Sequence, residues 1–176
     1  MTVMNFPRSL SPGKIIPRAL IALSLSLSFS AAFAGAQREE QLSDSVKSAL
    51  HKAVADTPIT RNYFESETHE KAWLGEMSSR LKKKFGEVED SMDFLRTVHY
   101  EAMRAGLDPE MVLGLIQVES NFRKYALSSV GARGFMQVMP FWQRAIGAPD
   151  HNLFNLRTNL RYGCTILRHY LNRENG

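Results

Sequence analysis

The stretch DPEMVLGLIQVESNFRKYALSSVGARGFMQVMP, residues 108–140, holds two kinds of text. Its first part reads as a helix with a defined start. Asp108 supplies an N-cap acceptor, and Pro109 fits the first helical turn, where its missing N–H is not needed. At 100° per residue, Val112, Leu115, Ile116 and Glu119 fall within an arc of about 100°. One carboxylate therefore shares the apolar side of this helix near its end. From Leu127 to Pro140 the text changes to Ser, Gly and short apolar pairs. That composition predicts a compact loop with a short turn or helix inside it.

Working outward, the same helical period recurs. Leu42, Val46, Leu50 and Val54 repeat every four residues and predict an amphipathic helix over 38–56, ended by Thr57-Pro58. This segment is expected to be a linker or a peripheral helix. Trp73, Met77 and Leu81 predict a second helix within 64–85, whose Lys82-Lys83-Lys84 run reads as a solvated face. Phe94, Leu95, Val98 and Ala102 line one side of a third helix over 91–104, closed by Gly106 in the C-cap role. Short and long helices are expected over 142–146 and 158–172. No stretch alternates with period two, so the fold class is all-α.

The beginning of the chain has a different character. Arg8, Lys14 and Arg18 precede an apolar run from Ala19 to Ala34 that ends in Ala32-Phe33-Ala34. A basic segment, an apolar run and a small-x-small end form the pattern of a cleaved secretory signal. The run is about 15 residues, shorter than the roughly 20 a membrane-spanning helix needs. Export to the periplasm is expected, with no integral span after cleavage and, lacking a cysteine behind the run, no lipid anchor. Of the 22 basic residues three lie in this leader, leaving 19 against 18 acidic ones. A nucleic-acid binder is therefore not indicated. The single cysteine, Cys164, can form no intramolecular disulfide. It sits among Tyr162, Ile166, Leu167 and Tyr170 and reads as a buried, inert thiol.

Glu119 carries the chemistry. Water is scarce on an apolar helix side, and desolvation disfavours the ionised carboxylate and raises its pKa. A carboxylic acid that keeps its proton near neutral pH can donate it to a glycosidic oxygen. The helix pattern alone also admits a structural glutamate in a buried hydrogen-bond network.

The residues around Glu119 bear on that choice. Glu119-Ser120-Asn121-Phe122, then Ser128, Gly131 and the run Gly134-Phe135-Met136-Gln137-Val138-Met139-Pro140, resemble the soluble-lytic-transglycosylase-like catalytic domain of glycoside hydrolase family 23. The family pattern is a catalytic Glu-Ser, a later Ser, then Gly-Ala-x-Gly-hydrophobic-Met-Gln-x-Met-Pro, and each position is met. Asn155, Asn159, Gly163 and Tyr170-Leu171 resemble the next helix of that family. The resemblance spans about 105–175.

It implies a lysozyme-like helical domain over 105–176, preceded by a signal peptide (1–34), a helix or linker (35–63) and a helical N-terminal part (64–104). It implies peptidoglycan glycan strands as substrate, with no cofactor. Glu119 becomes the sole catalytic acid and then base. Ser128 becomes a partner of the substrate's N-acetyl group, Gln137 lines the sugar cleft, and Met136 packs beneath or beside it. Gly131 and Gly134 shape the loop, since glycine permits positive φ or close backbone approach. The residues by themselves leave other roles open: Met136 as core, Gln137 as surface, Ser128 as a turn cap.

An ordinary glycosidase uses two carboxylates, and no second acid follows Glu119 before Asp150. The resemblance implies a route that needs only one. The N-acetyl oxygen assists departure, and ionised Glu119 then takes the proton of the muramic 6-hydroxyl, which closes to a 1,6-anhydro end. The family pattern continues with a Tyr-Asn-x-Gly/Ser motif, and none follows Tyr170. The resemblance thus implies a C-terminally shortened domain. A goose-type lysozyme-like hydrolase and a non-catalytic wall-binding remnant are the competing expectations. Metal chemistry is not indicated: His69-Glu70 begins like a zinc-binding helix, but Trp73 stands where the second histidine belongs.

Overall fold

A computed structural model of the protein describes residues 39, 41–55, 61–84 and 88–174, with side chains left aside at 88–90. The expected leader and the Thr57-Pro58 break lie outside these residues. The described chain is all-α, with six helices: α1 (Asp44–Val54), α2 (Glu67–Leu81), α3 (Val88–Arg104), α4 (Pro109–Ser120), α5 (Phe141–Ile146) and α6 (Leu156–Glu174). None of the described helices is long and apolar enough to cross a membrane.

Local signals set the helix boundaries. Ser43 and Ser66 cap α1 and α2 by accepting the amides of Val46 and His69. At the end of α3, Leu107 N–H bonds to Ala102 O at 2.9 Å and Gly106 N–H to Met103 O at 3.0 Å. With Gly106 at φ +68° this is a Schellman stop. Arg168 of α6 donates to the Ala105 carbonyl at 2.8 Å and satisfies another carbonyl of that end. Asp108 then starts α4, its Oδ1 accepting from Glu110 N at 2.7 Å and Met111 N at 3.0 Å. Helix α6 begins two residues before its expected start, because Asn155 caps it by accepting from Thr158 N at 3.1 Å.

The core lies where α3, α4 and α6 meet. Leu95, Val98 and Ala102 of α3, Val112 and Ile116 of α4, and Leu160 of α6 are sealed from solvent. Helix α1 packs against α5 and α6 rather than standing off as a linker. His51 Nδ1 lies 3.1 Å from Ile146 O. Arg104 donates to Ala53 O, and Arg161 to Ala55 O at 3.0 Å. Two guanidinium groups thus cover the carbonyl end of α1, where the helix dipole favours positive charge.

Those arginines belong to a buried cluster. Glu101 of α3 has no exposed surface. Arg161 Nη2 donates to its Oε1 at 2.8 Å, Arg104 Nε to its Oε2 at 3.1 Å, and Arg157 Nε stands 3.6 Å from Oε1. A lone carboxylate in the core would be strongly destabilising; three cations and their hydrogen bonds make it tolerable there. On the other side of α3, His99 stacks on Phe64 with ring centroids 3.6 Å apart and meets Trp73 edge-on. Burial, then the neighbouring His69, lowers its pKa to about 4, so the ring packs as a neutral aromatic. Cys164 is buried as expected, and that burial, with Glu101 nearby, pushes its thiol well above the ordinary range.

Candidate active site

Glu119 occupies the last turn of α4, beyond sealed Val112 and Ile116. It is half-buried itself, while its neighbour Val118 is 76% exposed. Its pKa is raised, and the cause is desolvation. Among the described residues nothing hydrogen-bonds or ion-pairs with its carboxylate. This speaks against the structural alternative, a glutamate consumed by an internal network. The buried network exists in this protein, but its carboxylate is Glu101.

The chain beyond Glu119 is turned sharply. Ser120 points inward, its hydroxyl donating to Ile116 O at 3.1 Å. Asn121 and Phe122 both take left-handed backbone, at φ 49° and 60°. For a phenylalanine that conformation costs about 1–2 kcal/mol. Its ring is repaid by burial beside Phe94, which also packs against Phe135 at 4.9 Å. Lys84 donates to Asn121 Oδ1 at 2.6 Å. One lysine of the Lys82–Lys84 run therefore sits at the end of α4 rather than on a purely solvated face.

The loop from Leu127 to Pro140 is compact, with isolated bridges pairing Leu127 with Arg133 and Arg133 with Val138. Ser128 closes its first turn: its Oγ accepts the Ala132 amide at 3.0 Å, and its carbonyl accepts the Gly131 amide at 3.0 Å. The turn-cap role is thus present. It leaves the hydroxyl proton oriented away from an N–H donor, and Ser128 remains part-exposed. Gln137 has φ 47°, and its Nε2 donates to Gly134 O at 2.9 Å and Ala126 O at 3.3 Å. Its amide is a brace of the loop, not a loose surface group. Met136 is buried and faces Gly163 so closely that a Cβ there would lie 2.3 Å from the methionine sulfur. It packs beneath the loop.

Gly134 is required twice over. Its φ is +74°, and an added Cβ would meet Asn159 Nδ2 at 2.5 Å and Leu153 O at 2.6 Å. Gly131, at φ +89°, meets no such crowding. Asn159 is the residue whose role the sequence left unspoken. Sealed in α6, it accepts the Met136 amide at 2.9 Å and donates to Arg133 O and Leu153 O, both at 2.8 Å. Its carboxamide pins the loop to α6. The signal available in advance was an asparagine among apolar helix positions, which is costly unless its polar atoms are all satisfied. The structure thus joins Ser128, Gly131, Gly134 and Gln137 in one braced loop, with Met136 below, while no hydrogen bond links the Glu119 carboxylate to it. Among the described residues no group of three or more His, Cys, Asp or Glu could hold a metal ion.

Comparison with known proteins bears on this arrangement. Residues 96–176 match the family described as the transglycosylase SLT domain. This part of the chain belongs to the SLT family. The SLT segment takes in the second half of α3 and everything after it, so Glu101, Glu119, the braced loop and Asn159 all fall inside it. Relatives include a protein named "Transglycosylase" from Enterobacteria phage PRD1, 31% identical over 86 residues. That alignment takes in 49% of this chain and 32% of the phage protein. The "Membrane-bound lytic murein transglycosylase C" of Actinobacillus pleuropneumoniae (serotype 5b) is 39% identical over 97 residues, 49% of this chain and 27% of the relative. Its namesake in Mannheimia succiniciproducens is 43% identical over 47 residues, 27% of this chain and 13% of the relative. The chain therefore matches a third or less of the length of these curated relatives. No solved structure gives a significant match.

Proposed function

We propose that the protein is a peptidoglycan lytic transglycosylase. It cleaves the β-1,4 bond between N-acetylmuramic acid and N-acetylglucosamine and leaves 1,6-anhydro ends. The observation that carries this reading is Glu119: a half-buried carboxyl whose pKa is raised by desolvation and which no described residue engages. Such a group is kept protonated long enough to protonate the departing oxygen, and can then act as base. The SLT relatives, two of them named for murein transglycosylase activity, support the same chemistry. Ser128 donates its hydroxyl proton to the N-acetyl group, Gln137 shapes the cleft wall, and Met136 supports that wall from below. The basic-apolar-Ala-Phe-Ala pattern at the N-terminus supports export to the periplasm, where the substrate lies.

Product analysis tests the reading. Purified sacculi incubated with the protein should release anhydro-muropeptides, and Glu119→Gln should lower that release by about 10²–10⁴-fold. Reducing ends in place of anhydro ends would mean that water, not the 6-hydroxyl, attacks. Near-wild-type release by Glu119→Gln would remove Glu119 from the mechanism.

A further inference from the structure

The loop that carries Ser128 and Gln137 also exposes apolar surface that its own folding does not use. Tyr125 is 71% exposed, Leu127 65% and Val130 57%. Between the first two, Ala126 is buried, and its carbonyl accepts from Gly134 N and Gln137 Nε2. The backbone there is anchored at every second residue, so Tyr125 and Leu127 are held outward by the same bonds that set Gln137. The Tyr125 ring is propped against Phe154, with centroids 5.9 Å apart. Cations flank the pair: Lys124 Nζ lies 5.3 Å from the Tyr125 centroid, and the Arg133 guanidinium 5.9 Å from that of Phe154.

A buttressed, outward-facing ring with cations on both sides is an organised surface, not a scattered apolar residue. Aromatic faces bind the C–H faces of sugar rings. Cations 5–6 Å from those rings' centroids suit carboxylates carried beside the sugar.

We propose that Tyr125 and Phe154, with Lys124 and Arg133, form a binding subsite on the rim of the loop for a glycan strand bearing anionic substituents. The inference rests on the transglycosylase reading and deepens it. The ring pair takes up a sugar at a distance from the reacting bond. The two cations take up carboxylates of the peptide or lactyl groups. Such a subsite favours peptide-bearing strands over naked ones.

The experiment uses the Glu119→Gln protein, so that binding is measured without turnover. Its affinity is determined for purified sacculi by co-sedimentation and for a chitin oligosaccharide, which has neither peptide nor carboxylate. Tyr125→Ala should weaken both by about five- to tenfold, the usual effect of deleting an aromatic anchor. Tyr125→Phe should keep both, which separates loss of the ring from loss of fold. Lys124→Gln should weaken only the sacculi and flatten the salt dependence. Unchanged binding by Tyr125→Ala overturns the subsite, as does failure of the parent to bind sacculi. An equal effect of Lys124→Gln on the uncharged oligosaccharide overturns the role of the cations. Residual release of anhydro products by the Glu119→Gln parent would instead count against the catalytic reading, and it is scored separately.

Discussion

The carboxyl of Glu119 loses water on the Val112–Ile116 side of α4 and gains no cation or donor in exchange. Its folded-state pKa is therefore above its unfolded value, and the folded protein holds this proton more tightly. The linkage sign follows. The contribution of Glu119 to stability is highest below the ordinary carboxyl pKa of 4.5 and declines as pH rises through the raised folded value. Glu119→Gln removes that slope. Melts from about pH 3 to about pH 8 should show wild type and variant close together in acid, with the variant more stable above the window. A structural glutamate would give the reverse, a variant that loses stability as pH rises. The raised pKa also extends proton donation to higher pH, so the basic limb of the activity profile should lie above the normal carboxyl range. Ser128 makes a different kind of case, because its Oγ already holds the Ala132 amide at 3.0 Å. Ser128→Ala should cost about 1 kcal/mol, one hydrogen bond. If the hydroxyl also contacts substrate, turnover should fall by about tenfold or more. Loss of turnover no greater than the loss of folded fraction, measured by melts beside release from sacculi, would reduce Ser128 to a cap.

Between α4 and α5 the backbone is shaped by residues that tolerate, or are forced into, left-handed conformations. Gly134 tolerates it; Phe122 and Gln137 are forced, one by its buried ring and the other by two amide bonds. Strain of this kind persists only where the surroundings over-determine it. Asn159 does much of that determining, from an element that begins 35 residues beyond the catalytic helix's last residues in the chain's own path through α5. Gly134→Ala attacks this joint directly. The added methyl meets Asn159 Nδ2 and Leu153 O below 3 Å, at a φ of +74°. It should cost about 2–4 kcal/mol from left-handed strain and overpacking. Chemical denaturation would measure this, and Gly131→Ala is the comparison. That site is equally left-handed at φ +89° but has open space, so its loss should be the smaller, near the strain alone. Equal losses at the two glycines would mean that the contact with Asn159 contributes nothing.

At the scale of the molecule, Glu101 joins what the helix periods leave separate. It lies in α3, draws Arg157 and Arg161 from α6, and with Arg104 and Arg161 secures the carbonyl end of α1. Glu101→Gln keeps the volume but leaves three guanidinium groups around a neutral amide. It should cost about 3–5 kcal/mol, as loss of one partner from a buried charge cluster does. Amide exchange should report the loss first at α1, whose last carbonyls those arginines hold; unchanged protection there would show that α1 is secured by apolar packing alone. Much of the rest could be read in advance. The period of apolar residues, the Asp108-Pro109 start, the Gly106 stop and the glutamate on an apolar side are local facts, because caps and helix faces depend on residues within about one or two turns. So were Gly131 and Gly134 in a compact loop. The tertiary structure alone decided three things. It made Glu119, and not Glu101, the carboxylate without a protein partner, although both lie in helices rich in apolar residues. It made Gln137 and Asn159 braces of the loop, and it brought Tyr125 against Phe154. Each of these depends on side chains far apart in sequence. A residue's partner in three dimensions leaves no period in the chain, so burial could be foreseen from pattern while satisfaction of the buried charge could not.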